Sequence, residues 1–380
     1  MKNIIPFSQH AKIDNNLGYV KKVLENSQTS GDGPFSKKAE KLLVKKLKIS
    51  GKIYLTTSCT HALEIAAILL NLQPDDEVIV PSYTFVSTAL AFYMHKAKIV
   101  FADIKPDTLN IDETKLEKLI TKKTKAIVAV HYAGVSCEMR EIMKLGEKYN
   151  LCIIEDNAHG LFGEYYGKKL GSIGHLATQS FHETKNISCG EGGALILNSS
   201  KFYSRAEIIR EKGTNRSSFI RGDVDKYTWV DKGSSYILSD ILSSVLLNQL
   251  EASNKIQFRR KEIWKGYNKN LRDWCDKNNI VQPTIPPYCK QSYHMYYLLL
   301  PNKKLRNFFL DYLSNLSIKA TSHYQPLHSS PFIQKITRVT KDNCPITTDI
   351  SQRIVRLPLF YNMSNSQYSK VISDIVRFRC

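Results

Sequence analysis

Long apolar runs are missing from this sequence of 380 residues. The longest ones, such as residues 62–70 and 126–130, fall well short of the roughly 20 apolar residues that a membrane-spanning helix needs. Residues 1–10 also contain no apolar segment that ends in a small-residue cleavage site. We therefore expect no membrane-spanning segment and no secretory signal, and we place the protein in the cytoplasm.

Cysteines are few and widely spaced. The sequence has eight, without a Cys-x-x-Cys pair and without a dense framework. This spacing indicates neither a zinc site nor a disulfide scaffold, so no metal is expected. The thiols are expected to be reduced, and several of them buried.

Acidic residues are outnumbered, with 35 Asp and Glu against 54 Lys and Arg, which leaves a formal charge of +19. Such a charge attracts nucleic acids, membrane surfaces and phosphorylated small molecules alike. The basic residues are scattered, and zinc-finger spacing and the aromatic motif of ribonucleoprotein domains are both absent. The sequence therefore favours a phosphate-bearing small substrate and argues against a nucleic acid or a membrane as partner.

Seven short runs rich in Val and Ile alternate with helical patterns in the first half of the chain. The alternation predicts an α/β fold with a mostly parallel sheet and helices on both faces. Ligands of such sheets bind beyond the carboxyl ends of the strands, so the polar residues after each run are candidates for a site. The runs are residues 52–57, 77–81, 98–103, 126–131, 152–156, 177–181 and 193–197.

The later part of the chain has a different pattern. Residues 239–267 read as one long amphipathic helix, followed by a Pro-punctuated segment at 282–288, a strand-like run at 294–300 and two further helical stretches. Since the chain is long enough for two cores, we predict a large domain of residues 1–250 and a small C-terminal domain of residues 251–380.

Three of these polar segments could carry chemistry. The first run ends in Thr-Thr-Ser-Cys-Thr at 56–60 just before a helix, where backbone N–H groups and the hydroxyls of Ser58 and Thr60 could bind phosphate. The alternative is that these residues only cap the helix. Asp156 ends the fifth run, where a buried carboxylate needs a cation such as a pyridinium nitrogen, or else caps the next turn.

Lys185 follows the sixth run and precedes the glycines at 190, 192 and 193. A lysine at the rim of the sheet near Asp156 could form a Schiff base with an aldehyde cofactor and then act as acid and base. The glycines would let the backbone approach a ligand closely. For any single lysine the alternative is a solvated surface charge, and only the combination of motifs favours chemistry.

These segments resemble the DegT/DnrJ/EryC1/StrS family of sugar aminotransferases. The resemblance implies the pyridoxal-phosphate-dependent transferase fold type I, as in aspartate aminotransferase, with a mostly parallel seven-stranded sheet in the large domain and a smaller C-terminal α+β domain. It extends from residues 5–7 to Leu-Pro-Leu-Phe at 357–360. The motifs are Pro-Ser-Tyr-Thr-Phe-Val-Ser-Thr at 81–88, Glu-Asp-x-Ala-His-Gly at 155–160, Ser-Phe-His-x-x-Lys-Asn at 180–186 and Gly-Glu-Gly-Gly at 190–193.

Within the family, residues 131–135, 181–186, 210–217 and 225–229 are most similar to bacterial dTDP-4-amino-4,6-dideoxygalactose transaminases. This similarity implies transfer of an amino group from L-glutamate to dTDP-4-keto-6-deoxy-D-glucose, for a surface polysaccharide such as O-antigen, by a homodimer. Two alternatives stay open: delivery of the amine to the other face of C4, which gives the gluco epimer, and formation of a C3 amino sugar. A basic binding protein without catalysis is a distant alternative, which Lys185 and Asp156 argue against.

The family pattern also implies roles for residues of this chain. Lys185 would be the catalytic residue and hold pyridoxal 5′-phosphate, and the other predicted contacts all bind that cofactor. Two positions depart from the family: Cys59 stands where many relatives have Gly, and Ser235 stands where a neighbouring subunit often donates Asn. His323 and His328 could reach the sugar or simply be packed. The predicted cofactor contacts are Asp156 to the pyridine nitrogen, Phe85 stacked on the ring, His159 near the phenolic oxygen, and Cys59, Thr60, Ser180 and Ser235 to the phosphate.

Overall fold

The computed structural model describes residues 4–26, 28–336 and 343–379. Residues 1–3, which belong to the segment searched for a secretory signal, therefore lie outside the described residues. Within those ranges, no helix combines the length and the apolar composition that crossing a membrane requires. Of the cysteines in the same ranges, seven are free thiols and five of them are buried, so the expectation of several buried thiols is confirmed.

A seven-stranded sheet forms the centre of the molecule, with the strand order β1-β9-β8-β5-β4-β2-β3. Neighbours among β2, β3, β4, β5 and β8 are parallel, whereas β9 runs antiparallel to both β1 and β8. Each predicted run is one of these strands, so the mostly parallel sheet is confirmed. The strands are β1 (Lys52–Thr56), β2 (Glu77–Pro81), β3 (Lys98–Ala102), β4 (Thr124–Val130), β5 (Cys152–Asp156), β8 (Leu176–Ser180) and β9 (Gly193–Leu197).

Helices cover both faces of this sheet. Val78 and Val80 of β2 pack into one apolar cluster and Ile79 between them into another, because successive strand side chains point to opposite faces. A two-sided apolar strand therefore requires a helical layer on each side. In the first 221 residues the helices are α1 (Asn16–Glu25), α2 (Pro34–Leu47), α3 (Cys59–Leu69), α4 (Ser87–Met94), α5 (Glu113–Leu116), α6 (Met139–Tyr149), α7 (Tyr203–Arg210) and α8 (Arg216–Arg221).

The predicted single helix at 239–267 is in fact two, α9 (Asp240–Glu251) and α10 (Ser253–Asn270), which meet at Ala252. α9 and the first turn of α10, at Ile256, pack into one core, and the later turns of α10 pack into another. Leu246 and Leu250 of α9 belong to a cluster beside the large sheet, whereas Trp264 and Tyr267 of α10 belong to a C-terminal cluster. The division of the chain near residue 250 stays a prediction, and Ile5 also packs into the C-terminal cluster.

The remaining elements flank the large sheet. The strand-like run at 294–300 is confirmed as β11 (Tyr296–Leu299), which pairs antiparallel with β12 (Ile354–Leu357). A three-stranded sheet joins β6 (Glu164–Tyr165), β7 (Lys168–Lys169) and β10 (Cys289–Lys290). The C-terminal helices are α11 (Arg272–Lys277), α12 (Lys303–Asn315), α13 (Pro331–Ile336), α14 (Pro345–Arg353) and α15 (Asn365–Arg377).

Candidate active site

The start of α3 forms a cup beyond the end of β1. Ser58 caps the helix, since its Oγ accepts a hydrogen bond of 3.0 Å from the backbone N–H of His61. The first backbone N–H groups of any helix, here those of Cys59 and Thr60, have no intrahelical acceptors. The Thr60 hydroxyl lies 2.8 Å from the hydroxyl of Ser87, the first residue of α4. Two helix starts with hydroxyl side chains thus meet, an arrangement that binds a phosphate group well.

Gly193 keeps this cup in place. A Cβ at this position would lie 2.3 Å from the carbonyl carbon of Ser58 and 2.4 Å from the backbone nitrogen of Cys59. Glycine is therefore required here by the close approach of two backbones. The predicted approach of the glycines to a ligand stays a prediction.

Asp156 lies at the carboxyl end of β5 and is buried. Its Oδ2 accepts a 2.8 Å hydrogen bond from the Thr88 hydroxyl, and its Oδ1 accepts a 3.2 Å bond from the backbone N–H of Ala158. The bond to Ala158 is the turn cap considered as an alternative, so Asp156 caps the turn and still lines the cavity. A carboxylate held in this way can accept a further hydrogen bond from a protonated ring nitrogen.

Lys185 follows β8 and is half-buried, with its amine in the same cavity as Asp156. Within the described part of the chain, Nζ makes no hydrogen bond and no ion pair. Desolvation lowers the pKa of Lys185 from its ordinary value of 10.5 to about 8, and the charge of Arg356 contributes to the same direction. A large fraction of the amine is therefore neutral near pH 8, as a nucleophile or a base must be.

His159 provides an unused ring nitrogen. Its ring stacks on that of His294 at 4.3 Å between centroids, and its Nε2 lies 3.2 Å from the Tyr324 hydroxyl. Desolvation holds the pKa of His159 well below its ordinary value, and the charges of Lys185 and Arg356 act in the same direction. The imidazole is therefore neutral, and its buried Nδ1 has no hydrogen-bond partner among the described residues. A bound group with a polar oxygen would satisfy that atom.

One cavity of about 460 Å³ collects these groups. Its wall also contains Phe85, whose side chain is 55% exposed and lies 6.1 Å from the ring of Tyr324. Of the eight predicted site residues, seven line this cavity, namely Cys59, Thr60, Phe85, Asp156, His159, Ser180 and Lys185. Their individual roles stay predictions.

Ser235 is the eighth, and it does not line the cavity. It is exposed and forms a backbone bridge with Glu211. Because its predicted role is a contact to the site of a neighbouring subunit, this position leaves that prediction untested. His323 does line the cavity, whereas His328 is buried and shares a 2.6 Å hydrogen bond with Ser82.

Sequence reasoning missed several cavity residues. Thr88, His294, Tyr324 and Arg356 all line the cavity. Thr88 and Arg356 lie in or directly beside motifs that the sequence showed, at 81–88 and 357–360, but no pattern indicated that their side chains face a ligand. Only the packing of the C-terminal segments against the sheet brings His294, Tyr324 and Arg356 to Lys185.

The donor set fits pyridoxal phosphate. The cup suits a phosphate, Asp156 suits a protonated pyridine nitrogen, the unpartnered Nδ1 of His159 suits a phenolic oxygen, and Lys185 suits an aldehyde. The model for the DegT/DnrJ/EryC1/StrS aminotransferase family matches residues 11–376 of the chain. The protein belongs to this family. It is a pyridoxal-phosphate-dependent sugar aminotransferase.

Relatives of this aminotransferase agree with that assignment. GDP-perosamine synthase of Escherichia coli O157:H7 is 29% identical over 380 residues, which cover 98% of each chain. The spore coat polysaccharide biosynthesis protein SpsC of Bacillus subtilis is 31% identical over 330 residues, 84% of each chain.

Solved structures show the same fold. Helicobacter pylori PseC, an aminotransferase involved in the biosynthesis of pseudoaminic acid, is 26% identical with a TM-score of 0.87 and coverage of 99% of both chains. The PLP form of Spr1654 from Streptococcus pneumoniae is 25% identical with a TM-score of 0.89, covering 98% of this aminotransferase and 97% of that chain. The fold type I prediction is confirmed.

Proposed function

We propose that this enzyme transfers the amino group of L-glutamate to C4 of dTDP-4-keto-6-deoxy-D-glucose. The products are 2-oxoglutarate and dTDP-4-amino-4,6-dideoxy-D-galactose, for use in a surface polysaccharide made from cytoplasmic precursors. The observation that carries the proposed chemistry is the amine of Lys185, which is unpaired in the part of the chain that the structure describes, has its pKa lowered to about 8 and lies in one cavity with Asp156.

Each cavity side chain has a separate role in the proposed reaction. Bound pyridoxal phosphate supplies an electron sink that stabilises negative charge at the α carbon of the donor. Asp156, held by Thr88 and Ala158, keeps the proton on the pyridine nitrogen in place, which maintains that sink. The neutral amine of Lys185 would remove the proton from the α carbon of the donor and deliver it to the carbon of the cofactor that carried the aldehyde. In the second half of the reaction the same amine delivers a proton at C4 of the sugar.

The choice of the dTDP sugar is supported by the residues that resemble the dideoxygalactose transaminases, above all 210–217 and 225–229. The similarity to GDP-perosamine synthase favours a second candidate, a GDP-linked 4-keto sugar. Both candidates use the same chemistry and differ in the nucleotide. The configuration at C4 and a C3 amino sugar are further alternatives that the product will decide.

A homodimer is part of the same proposal. Residues 216–232 carry large apolar side chains on the surface, including Ile220, Tyr227 and Trp229, which are 65%, 53% and 76% exposed. Exposed aromatic side chains in one segment are typical of an interface with another chain. Ser235 lies just after this segment, where a contact to a neighbouring chain would place it.

The test is the visible spectrum of the purified holoenzyme. We expect a yellow absorption that L-glutamate bleaches and that dTDP-4-keto-6-deoxyglucose restores, and no such cycle in Lys185→Ala. The same experiment with a GDP-linked 4-keto-6-deoxy sugar compares the two nucleotides, and NMR of the product determines the C4 configuration. Restoration by the GDP sugar alone would reject the dTDP assignment. Failure of any keto sugar to restore the absorption would reject the reaction.

A further inference from the structure

Tyr324 and His159 share a hydrogen bond in the wall of the cavity. The Tyr324 hydroxyl lies 3.2 Å from Nε2 of His159. Burial raises the pKa of Tyr324, so the hydroxyl keeps its proton. Desolvation holds the pKa of His159 well below its ordinary value, so the ring carries a single proton, on either Nδ1 or Nε2. The two tautomers use the shared hydrogen bond in opposite directions.

The Nδ1–H tautomer of His159 leaves fewer polar groups unpaired. If Nε2 carried the proton, it would donate to the Tyr324 oxygen. The hydroxyl hydrogen would then lack an acceptor among the described residues, and the buried Nδ1 would lack a donor. If Nδ1 carries the proton, Tyr324 donates to Nε2 and only the Nδ1–H group is left over. Since buried polar groups are seldom unpaired, the second arrangement is favoured.

Two buried tyrosines hold Tyr324 in position. The hydroxyls of Tyr83 and Tyr132 both donate to the backbone carbonyl of His323, at 2.6 and 3.2 Å. The rings of Tyr83 and Tyr132 also lie 6.1 and 6.3 Å from the ring of Tyr324. The Tyr324 hydroxyl is therefore fixed beside Nε2 of His159 before a ligand binds.

His294 fixes the plane of the His159 ring. The two rings stack with 4.3 Å between centroids and an angle of 17° between their planes. The amide of Asn186 donates through Nδ2 to the Ser292 carbonyl, so its Oδ1 is the acceptor for Nδ1–H of His294, at 3.0 Å. Desolvation holds the pKa of His294 well below its ordinary value. Both stacked rings are therefore neutral, and neighbouring side chains hold them in place.

Titratable groups surround His159 and disfavour a second proton on its ring. The positive charges of Lys185 and Arg356 lower the pKa of His159 in addition to desolvation. A change in the spectrum of a bound cofactor near neutral pH therefore cannot come from titration of His159. The groups that face it are Tyr132, Lys185, His294, His323, Tyr324 and Arg356.

We propose that Tyr324 is a positioning residue that keeps His159 in the Nδ1–H tautomer, so that His159 donates a hydrogen bond to the phenolic oxygen of pyridoxal phosphate. The inference rests on the predicted contact of His159 with that oxygen and does not depend on the sugar. A donor stabilises negative charge on the oxygen, which lowers the pKa of the proton that this oxygen shares with the nitrogen of Lys185. The reacting nitrogen then loses its proton at a lower pH.

The first test is a pH titration of the visible absorption of the holoenzyme. Tyr324→Phe should raise the midpoint by about 0.4 to 1 pH unit, the equivalent of one neutral hydrogen bond. His159→Leu removes the donor and should raise it by about 1 to 2 units, the equivalent of a hydrogen bond to a charged group. In a His159→Leu background, Tyr324→Phe should add no further shift, because Tyr324 acts through His159.

The matched control is Tyr312→Phe. This variant also loses a hydroxyl, one that donates a 2.9 Å hydrogen bond to the Asp374 carbonyl and does not line the cavity. It should keep the wild-type midpoint. Thermal melting of each variant checks folding.

A second readout uses the wild-type chain, so it stands even if a variant is unstable. Neutron diffraction from crystals of the perdeuterated holoenzyme locates the protons without turnover. We expect deuterium on Nδ1 of His159 and on the hydroxyl oxygen of Tyr324.

Three results would overturn the inference. Deuterium on Nε2 of His159 would contradict the tautomer. An unchanged midpoint in Tyr324→Phe or in His159→Leu would show that the hydrogen bond does not act on the cofactor. A shift from Tyr324→Phe that persists in the His159→Leu background would show that Tyr324 does not act through this histidine. Both readouts use the bound cofactor alone, so a keto sugar that fails in the transamination assay would reject the proposed function and leave this inference standing.

Discussion

Gly193→Ala tests whether the close approach of β9 to the start of α3 forms the phosphate cup. The added methyl would lie 2.3 to 2.5 Å from three backbone atoms of Ser58 and Cys59, whereas ordinary contact begins at 3.4 Å. Relief of this overlap requires the two backbones to separate by about 1 Å. A hydrogen bond near 2.9 Å that lengthens by this amount is lost.

The expected loss is one or two charge-assisted hydrogen bonds to the phosphate, at about 1.5 to 3 kcal/mol each. The dissociation constant for pyridoxal phosphate should rise by at least about tenfold. The assay is titration of the apoprotein with pyridoxal phosphate, followed by the visible absorption, with thermal melting of the apoprotein beside it. Gly167→Ala is the control, since an added Cβ there meets no atom of the described residues within 4 Å and its cost is only the strain of φ +78°, on the order of 1 kcal/mol. Wild-type cofactor affinity in Gly193→Ala would refute the reasoning.

Three further predictions concern the groups around the cavity. In the apoprotein, the rate of acylation of Lys185 should depend on its neutral amine and rise with pH around a midpoint near 8, and Arg356→Gln should move that midpoint upward. Peptide mapping of the labelled lysine measures both effects. A midpoint near 10.5 would contradict the argument from burial. Thr88→Val leaves Oδ2 of Asp156 without its donor and should weaken cofactor binding by roughly 1 to 3 kcal/mol, whereas an unchanged titration would show that this bond does not position Asp156. His131→Leu removes the 2.8 Å hydrogen bond to the fully buried Glu155, which keeps its backbone donors, and should lower the free energy of unfolding in urea by about 1.5 to 3 kcal/mol near pH 7. Although burial raises the pKa of Glu155, the hydrogen bonds from His131 and the backbone hold that pKa below its ordinary value. The stabilisation by His131 is therefore lost as the pH falls through the pKa of Glu155 in the folded protein. A loss of unfolding free energy in His131→Leu that persists in acid would contradict this role of His131.

The strands of the large sheet were predictable because their side chains carry a strong local signal. Runs such as Val78 to Val80 are apolar on both faces, and only a sheet covered on both sides buries them. The helix break at Ala252 was not predictable, since residues 239–267 have no Pro and no Gly before Gly266. The buried side chains pass from one core to the other within α10, between Ile256 and Ile263, and a helical period does not show which core a helix face contacts.

Some residues of the candidate active site were likewise predictable from the sequence, and others were not. Cys59, Thr60, Asp156, Ser180 and Lys185 follow or end strands of one sheet, so their position in the sequence already placed them at its carboxyl edge. Sequence therefore determined the sheet, the cofactor side of the cavity and the family. His294, Tyr324 and Arg356 come from the C-terminal half, and only the packing of β11, β12 and their connections against the sheet decided that they line the cavity that contains Lys185. The physical reason is the sequence separation of the contacts. Strand and helix patterns arise from neighbours in the chain, whereas the presence of His294 and Arg356 in the cavity of Lys185 depends on contacts between residues far apart in sequence.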